Sequence, residues 1–178
     1  MAGEKYIIKT RRYDSPCGVL RLGCYGVYPC LCDWQTEERH CSRIDKRLER
    51  LLDARFETGT SNVIEKAVEQ LDEFFAGERR VFDVPLLFAG TDFQKKVWNE
   101  LRKIPFGEII SYGELARRIG MPEAVRAVAN ANGANAISVF VPCHRVIGSD
   151  NTLTGYGGGL GTKRKLLELE GALPVPNC

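Results

Sequence analysis

The chain has 178 residues, a hydrophobic fraction of 44% and a formal net charge of +2 at pH 7. This length allows one or two small domains, and the ordinary apolar fraction supports a buried core. We expect neither a membrane helix nor a secretory signal, because the sequence has no long apolar run and Met1–Lys5 opens no apolar segment. The seven cysteines are odd in number and not spaced like a disulfide framework, so we expect reduced thiols in an intracellular protein.

The first part of the chain predicts a β-sheet. Three apolar segments have the composition of strands: Tyr6–Ile8, Gly18–Cys24 and Val27–Trp34. A short turn containing glycine separates the last two, which predicts a hairpin. Pro29 cannot donate a hydrogen bond to a neighbouring strand, so the third strand is expected at the edge of the sheet.

Two helices are predicted next, over Glu37–Ala54 and Asn62–Ala76. The second begins with the pair Asn62 and Glu65, which is typical of a helix start, and ends before Gly77. The first has an apolar face at helical spacing. That face comprises Cys41, Ile44, Leu48, Leu51 and Leu52.

A domain boundary is expected near Ala89-Gly90, after the extended segment Val81–Pro85. We therefore predict an α/β domain over residues 1–90 and a mainly helical domain over residues 91–178. The fold class of the whole chain is α/β.

Two capping-box patterns indicate helix starts in the second half. They are Thr91 with Gln94, and Ser111 with Glu114. The first opens a helix with Trp98 on its buried face. The second opens a helix over Tyr112–Ile119.

A helix-turn-helix is predicted where Gly120 ends that helix and Pro122 stands in the first turn of the next, which runs to about Asn132. The second helix carries Arg126 among many alanines, and small side chains allow the close approach that a helix in a DNA groove requires. An ordinary helical hairpin packed in a core is the alternative interpretation.

A reactive cysteine is predicted in the stretch that follows. The apolar run Val139–Val141 has the composition of a short buried strand, and Pro142 restricts its last residue to extended geometry, so Cys143 should stand at the strand's end. The basic neighbours His144 and Arg145 favour a thiolate. Adjacent side chains point apart, so we expect a water between His144 and the sulfur. The alternative is a buried structural cysteine beside an unrelated histidine.

The last part of the chain combines a glycine-rich loop, Leu153–Gly159, with a helix over Lys163–Glu170 that Gly171 ends. The loop lacks the ending of a Walker motif, so we interpret it as a flexible loop whose backbone N–H groups reach a flat ligand. The basic run 163–165 is expected to be a solvated helix start.

A metal site is the alternative use of five cysteines in the first half, with His40 nearby. The cysteines are Cys17, Cys24, Cys30, Cys32 and Cys41. Their spacing is not that of a zinc finger, so we expect them to pack in strands and core, with no metal.

Several motifs of the second half together resemble one family. They are Phe93–Trp98, Ile104-Pro105, Ser111–Ala116, Arg126–Val128, Asn135, Pro142–Val146 and Gly155–Gly159. In this order and spacing they resemble the O6-methylguanine-DNA methyltransferases, also called methylated-DNA–protein-cysteine methyltransferases. The resemblance extends into the last helix, and Pro-Cys-His-Arg-Val is its most specific motif. The first half is similar only as an α/β domain of the kind that the family carries.

The resemblance implies a ribonuclease-H-like α/β domain followed by a domain built around a winged-helix-like helix-turn-helix. It implies repair of alkylated double-stranded DNA by a monomeric protein of the cytoplasm, or of the nucleus in a eukaryote. The alkyl group of O6-methylguanine, and of O4-methylthymine, would pass irreversibly to one cysteine after base flipping, without a cofactor.

The resemblance also implies roles for individual residues. Cys143 is the methyl acceptor, and Glu170, His144 and a water form a hydrogen-bonded chain to its sulfur. Tyr112 helps to rotate the nucleotide out and stabilises the departing guanine. The implied DNA-binding residues are Arg126, which fills the gap in the base stack, Asn135, which braces the recognition helix, Tyr112, Ala127 and Ser149. The implied alkylguanine pocket comprises Val146, Tyr156 and Gly157.

Three positions depart from the family pattern. Ala129 stands where glycine is usual, Ala136 replaces a proline, and Gly157 takes a place often held by serine. These changes put the fit to the groove and the range of alkyl groups in question.

Two other functions remain as alternatives. A non-catalytic module that recognises alkylated DNA would not need Cys143. A cysteine hydrolase would use Cys143 with His144, and would need repeated turnover and an oxyanion hole.

Overall fold

The computed structural model describes residues 5–36 and 38–172. The chain has a mixed α/β fold, as predicted, and divides into two compact units, residues 1–90 and 91–178. None of the described helices is both long enough and apolar enough to cross a membrane. Predictions that involve residues 1–4, Glu37 or Cys178 fall outside the described residues.

A four-stranded sheet forms the centre of the first unit, in the order β3-β2-β1-β4. The strands are β1 (Tyr6–Ser15), β2 (Gly18–Tyr25), β3 (Tyr28–Trp34) and β4 (Ala54–Thr58). The first three pair antiparallel, and β4 pairs parallel to β1. The predicted hairpin is confirmed, and so is the edge position of the strand that contains Pro29.

The sequence did not predict β4, and it predicted only the start of β1. Ala54, expected at the end of a helix, is fully buried and pairs with Tyr6 in the sheet. Asp53, with φ of 46°, turns the chain from helix to strand. Because β4 has one buried residue followed by mostly exposed ones, no two-residue alternation signals it.

Two helices accompany the sheet in this unit, α1 (Glu38–Leu51) and α2 (Asn62–Phe75). Leu51, predicted on the buried face, is 43% exposed at the last position of α1. The cap of α2 is Ser61, one residue before the predicted start, because its hydroxyl accepts a hydrogen bond from the backbone N–H of Ile64.

In the second unit, residues 91–172 form four α-helices and a short parallel pair of strands. Its elements are α3 (Asp92–Leu101), β5 (Ile110–Ser111), α4 (Tyr112–Arg118), α5 (Val125–Gly133), β6 (Val146–Ile147) and α6 (Leu160–Leu169). Helices α3, α4 and α5 pack together around an apolar core. Val97, Leu101, Leu115 and Val128 are fully buried in this unit.

The predicted cap of α3 is confirmed in full, since Thr91 and Gln94 exchange both hydrogen bonds of a capping box. For α4, the hydroxyl of Ser111 accepts a hydrogen bond from the N–H of Glu114, as predicted. The carboxylate of Glu114 instead accepts hydrogen bonds from the two arginines of the last turn of α4.

Two predicted helix starts are wrong. Pro122 is not in α5 but in a turn closed by a hydrogen bond from the Ala124 N–H to the Met121 carbonyl, where proline favours the second position. Helix α5 therefore begins at Val125. Helix α6 begins at Leu160, three residues before the predicted start.

Candidate active site

The backbone before Cys143 is a tight turn, and the prediction of a buried strand there is wrong. The N–H of Val141 donates to the carbonyl of Ile137 at 2.9 Å, and that of Phe140 donates to Ser138 at 2.9 Å. Val139 has φ of 72°, although it is β-branched and buried. A left-handed backbone costs such a residue about 1–2 kcal/mol, so neighbouring groups must hold the turn.

The side chain that holds this turn is Asn135, which is 4% exposed. Its Oδ1 accepts a hydrogen bond from the N–H of Ile137 at 2.9 Å. Its Nδ2 lies 2.9 Å from the carbonyl oxygen of Val141 and 3.1 Å from Sγ of Cys143. One amide therefore joins both ends of the turn to the sulfur.

Cys143 begins a one-turn 3-10 helix, Cys143–Arg145, instead of ending a strand. Its side chain is 4% exposed, and the His144 side chain is fully buried. Because the two side chains leave the backbone in different directions, the sulfur meets Asn135 while the imidazole meets Glu170.

His144 and Glu170 form a buried pair, with 2.8 Å between Nε2 and Oε1. Burial opposes the charge of Glu170, but hydrogen bonds from His144 and Arg145 outweigh it and lower the pKa of Glu170 to about 2. Burial lowers the pKa of His144 despite this carboxylate. We therefore assign a neutral imidazole with its proton on Nε2. Nδ1 then carries a lone pair, and it is buried without a hydrogen-bond partner among the described residues.

Arg145 completes the hydrogen bonding of the Glu170 carboxylate. Its Nε donates to Oε2 at 2.9 Å, its Nη2 to Oε1 at 2.8 Å, and its Nη1 to the carbonyl of Ile104 at 2.6 Å. The backbone N–H of Gly107 also donates to Oε2, at 3.4 Å. The guanidinium of Arg145 thus binds the carboxylate of Glu170, and its effect on the thiolate stays a prediction.

Tyr112 stands at the first position of α4 and is partly buried. Its hydroxyl donates a long hydrogen bond, 3.5 Å, to the carbonyl of Thr154 in the glycine-rich loop. Burial raises the pKa of Tyr112, and the charge of Cys143 adds to this increase. The phenol, the loop and the cysteine are thus neighbours, and the partly buried Tyr156 and Gly157 lie in the same loop.

Lys163 is a buried residue of the site that sequence reasoning missed. It is fully buried, and its Nζ donates to the carbonyls of Val146 at 2.6 Å and Thr154 at 3.0 Å. The prediction of a solvated helix start is wrong for Lys163 but holds for Lys165, which is exposed. Helical spacing could have revealed this, because residues 163, 166, 167 and 170 share one face of α6.

The residues expected to bind DNA fall into two groups. Arg126 and Ala127, in the first turn of α5, and Ser149, in the turn after β6, are exposed. Asn135 is buried beside the cysteine. Helix α5 is held on its buried side, because Nε1 of Trp98 donates to the carbonyl of Ala131 at 2.8 Å.

All three positions that depart from the family pattern are at least partly buried. Ala129, in α5, is partly buried and Ala136 is buried. Gly157, in the glycine-rich loop, is partly buried. It offers a backbone N–H as a hydrogen-bond donor but has no side chain.

The cysteines of the first unit have ordinary packing environments. In residues 5–36 and 38–172, no group of three or more His, Cys, Asp or Glu side chains could hold a metal ion. Sγ of Cys24 lies 3.2 Å from the Ser61 hydroxyl, and the thiol of Cys41 donates to the carbonyl of Trp34 at 3.5 Å. The side chain of His40 is outside the described part of the chain.

Comparison with known proteins gives consistent matches over both units. A family model described as "6-O-methylguanine DNA methyltransferase, DNA binding domain" matches residues 92–172. A methylated-DNA–protein-cysteine methyltransferase of Mycolicibacterium paratuberculosis is 44% identical over 170 residues, which cover 92% of this chain and 93% of the relative.

A relative with the same name from Mycobacterium bovis is 61% identical over 104 residues. That alignment covers 58% of this chain and 63% of the relative, so it spans less than two thirds of the relative's length. The crystal structure of Mycobacterium tuberculosis OGT in complex with DNA is similar with a TM-score of 0.76 and 44% identity, over 93% of this chain and 92% of that one.

Proposed function

This chain belongs to the family of methylated-DNA–protein-cysteine methyltransferases, and from that premise we propose that it repairs alkylated duplex DNA. The alkyl group on O6 of guanine passes to the sulfur of Cys143 in a single, irreversible step. O4-methylthymine, which presents an alkyl group on a similar oxygen, is a second substrate.

The observation that carries this proposal is the buried polar chain beside the cysteine. Glu170 fixes the imidazole of His144 from one side, so the unprotonated Nδ1 is available as a base. A water between Nδ1 and the sulfur would take the thiol proton, and Asn135 donates a hydrogen bond to the sulfur. A thiolate is the nucleophile that such an arrangement favours.

The reaction follows from the chemistry of the thiolate. The target is a saturated carbon on oxygen, which requires a soft and strong nucleophile. The sulfur forms a bond to the alkyl carbon as the bond from that carbon to O6 breaks, and the electron pair stays on the guanine. The phenol of Tyr112 donates its proton to the guanine and regains one from solvent. The product is a stable thioether, so each molecule reacts once, and the step needs no cofactor.

Base flipping explains how a buried cysteine reaches a base in a duplex. Unstacking a nucleotide costs a few kcal/mol. Arg126, exposed in the first turn of α5, offsets part of this cost by filling the space left in the stack. Ala127 and Ser149, which are also exposed, contact the DNA around it.

The flipped base is held between the motif at Cys143 and the glycine-rich loop. Backbone groups of Cys143, Val146 and Gly157 supply its hydrogen bonds, and Tyr156 contributes to the wall. Because Gly157 has no hydroxyl and no Cβ, this wall is wider than one that contains serine, so larger alkyl groups fit.

Two details of the fold belong to the same proposal. The order β3-β2-β1-β4, with only β4 parallel to its neighbour, supports a ribonuclease-H-like first domain over residues 1–90. Helices α4 and α5, with the short β5–β6 pair, support a winged-helix-like second domain over residues 91–178. We propose that the protein acts as a monomer, since one chain contributes every residue named in the reaction.

The decisive experiment measures the intact mass of the protein after incubation with a duplex that contains O6-methylguanine. We expect one added methyl group per molecule, located on Cys143 by peptide mapping, and one guanine restored per protein. Cys143→Ser should accept no methyl, whereas Cys41→Ser, the matched control at a partly exposed cysteine, should accept one.

The two alternative functions give other results in the same experiment. Restoration of more guanines than protein molecules would indicate a hydrolase, and binding of the duplex without any mass change would indicate a recognition module. Either result would refute the proposal.

A further inference from the structure

The ammonium of Lys163 joins the two walls of the proposed pocket. The carbonyl of Val146 belongs to the Cys143 motif, and that of Thr154 belongs to the glycine-rich loop. The Thr154 carbonyl also accepts the hydrogen bond of the Tyr112 hydroxyl. The buried ammonium of Lys163 therefore fixes the backbone of both pocket walls. It shares the carbonyl of Thr154 with the hydroxyl of Tyr112.

This cation has no carboxylate within ion-pair distance in the part of the chain that the structure describes. The buried carboxylate of the site, Glu170, already binds His144 and Arg145. With a neutral imidazole, the site holds two positive side chains, Arg145 and Lys163, against one negative side chain. A thiolate at Cys143 balances the buried charge, whereas a thiol leaves one positive charge in excess.

We propose that Lys163 is a positioning residue for alkyl transfer, which holds the pocket walls together and supplies the buried positive charge that stabilises the Cys143 thiolate. This inference rests on the proposed function, in which that thiolate is the nucleophile. In this role Lys163 neither accepts a proton from the substrate nor contacts a reacting atom.

The mutual effects of the charges support this role. Burial lowers the pKa of Lys163 to about 8, while the charge of Cys143 raises it. Burial is the main cause of the lowered pKa of His144, and the charges of Arg145 and Lys163 add to this decrease, so the imidazole stays neutral and able to accept a proton. The lysine thus favours both the thiolate and the base that produces it.

The test measures how readily the cysteine ionises, without any DNA. The rate of Cys143 alkylation by iodoacetamide, followed by peptide mapping across a range of pH, reports the thiolate fraction. In Lys163→Met we expect the midpoint of this profile to rise by about one pH unit or more, with about a tenfold slower reaction at neutral pH. The rate should recover at alkaline pH, and Lys163→Arg should keep the original midpoint.

Lys165→Met is the matched control, because it removes the same charge from the exposed side of the same helix, and its profile should equal that of the wild type. His144, Arg145, Glu170 and Tyr112 also face the site, but they are present in all of these proteins, so their contributions cancel. A Lys163→Met variant that reacts more slowly at every pH with an unchanged midpoint would overturn the proposal, because loss of packing alone has that effect.

A second measurement leaves Lys163 in place, in case its replacement unfolds the protein. In Cys143→Ser, which cannot form a thiolate, the pKa of the Lys163 ammonium measured by ¹⁵N NMR should be lower than in the wild type. An unchanged pKa would overturn the charge coupling.

Methyl transfer from duplex DNA then separates the two proposals. If Lys163→Met shifts the iodoacetamide profile but the wild-type protein transfers no methyl group, the proposed function fails while the coupling of the charges stands. If the wild-type protein transfers the methyl group and the iodoacetamide profile of Lys163→Met does not shift, only the inference on Lys163 fails.

Discussion

The Nδ2 atom of Asn135 lies 3.1 Å from the sulfur of Cys143, and the same nitrogen lies 2.9 Å from the carbonyl oxygen of Val141. The hydrogen bond to sulfur favours the thiolate, since a donor stabilises the charged form of an acceptor. The other hydrogen bonds of this amide hold a turn in which Val139 has a left-handed backbone. The reactivity of the cysteine therefore depends on the geometry of this turn.

Asn135→Ala should lower both stability and cysteine reactivity. The variant leaves the N–H of Ile137 buried without its partner, whereas the carbonyl of Val141 keeps the hydrogen bond from the N–H of Cys143, so the free energy of unfolding should fall by about 1–3 kcal/mol. Urea unfolding measures this loss, and the iodoacetamide rate at Cys143 measures the change in the thiolate. Asn130→Ala, on the exposed side of α5, is the control and should change neither by much.

Local signals in the sequence predicted the elements that depend on local rules. The capping pair Thr91 and Gln94 predicted the start of α3, because their side chains bind backbone N–H groups within the same turn. Pro29 predicted an edge strand, because it has no N–H to donate to a neighbouring strand. Strand β4 and the turn at Val139 were not predicted from the sequence. Partners distant in the sequence stabilise both, β1 for the strand and Asn135 for the turn, and no local pattern encodes those partners.

The site could be predicted in part for the same reason. The motif around Cys143 indicated the family and predicted the nucleophile, since the motif is contiguous in the sequence. Only the structure brings together Arg145 and Glu170, which are 25 positions apart. A lysine at a helix start is usually solvated, so the burial of Lys163 could be predicted only from its helical spacing to the apolar residues of α6.

Glu170→Gln should destabilise the protein at neutral pH by about 3 kcal/mol, because it leaves Arg145 buried without a negative partner. The pKa of Glu170 is lowered from its usual value of 4.5 to about 2, so its contribution to stability is complete above pH 4.5 and is lost as the pH falls towards 2. The difference in stability between the two proteins should therefore narrow over that range.

Urea unfolding at a series of pH values measures this difference. His144 is present in both proteins, so its own protonation at low pH affects both curves. Glu168→Gln, at an exposed position of α6, should unfold like the wild type. A difference in the free energy of unfolding that stays constant from neutral pH to pH 2 would contradict the role of the Glu170 charge.

Removal of metal ions should leave methyl transfer intact. In our proposal the thiolate needs no metal for its activation, because His144 acts as the base and Lys163 supplies the positive charge. The test compares the rate of transfer before and after treatment with a chelator, with a small loss of thermal stability allowed. A prompt loss of activity that zinc restores would show that the cysteines of the first unit, such as Cys24 and Cys30, bind a metal instead of packing in the sheet.

Arg126→Ala should slow repair in duplex DNA and leave the reaction with free O6-benzylguanine almost unchanged. The guanidinium is exposed on α5 and, in our proposal, acts on the base stack, so its loss raises the cost of flipping by about 1–3 kcal/mol, or roughly tenfold to a hundredfold in rate. A free base needs no flipping, so its rate of reaction should not depend on Arg126. Single-turnover rates of the variant and the wild type on both substrates measure how much each reaction slows.

Arg12→Ala, an exposed arginine of the first unit, is the control for the loss of one positive charge, and it should affect both substrates little. A duplex in which the lesion lies opposite an abasic site offers a further comparison, since such a base has no pairing partner and flips at lower cost. The effect of Arg126→Ala should shrink on that duplex. An equal loss on the duplex and on the free base would instead assign Arg126 to the chemistry or to the stability of the unit, because neither of those depends on base stacking.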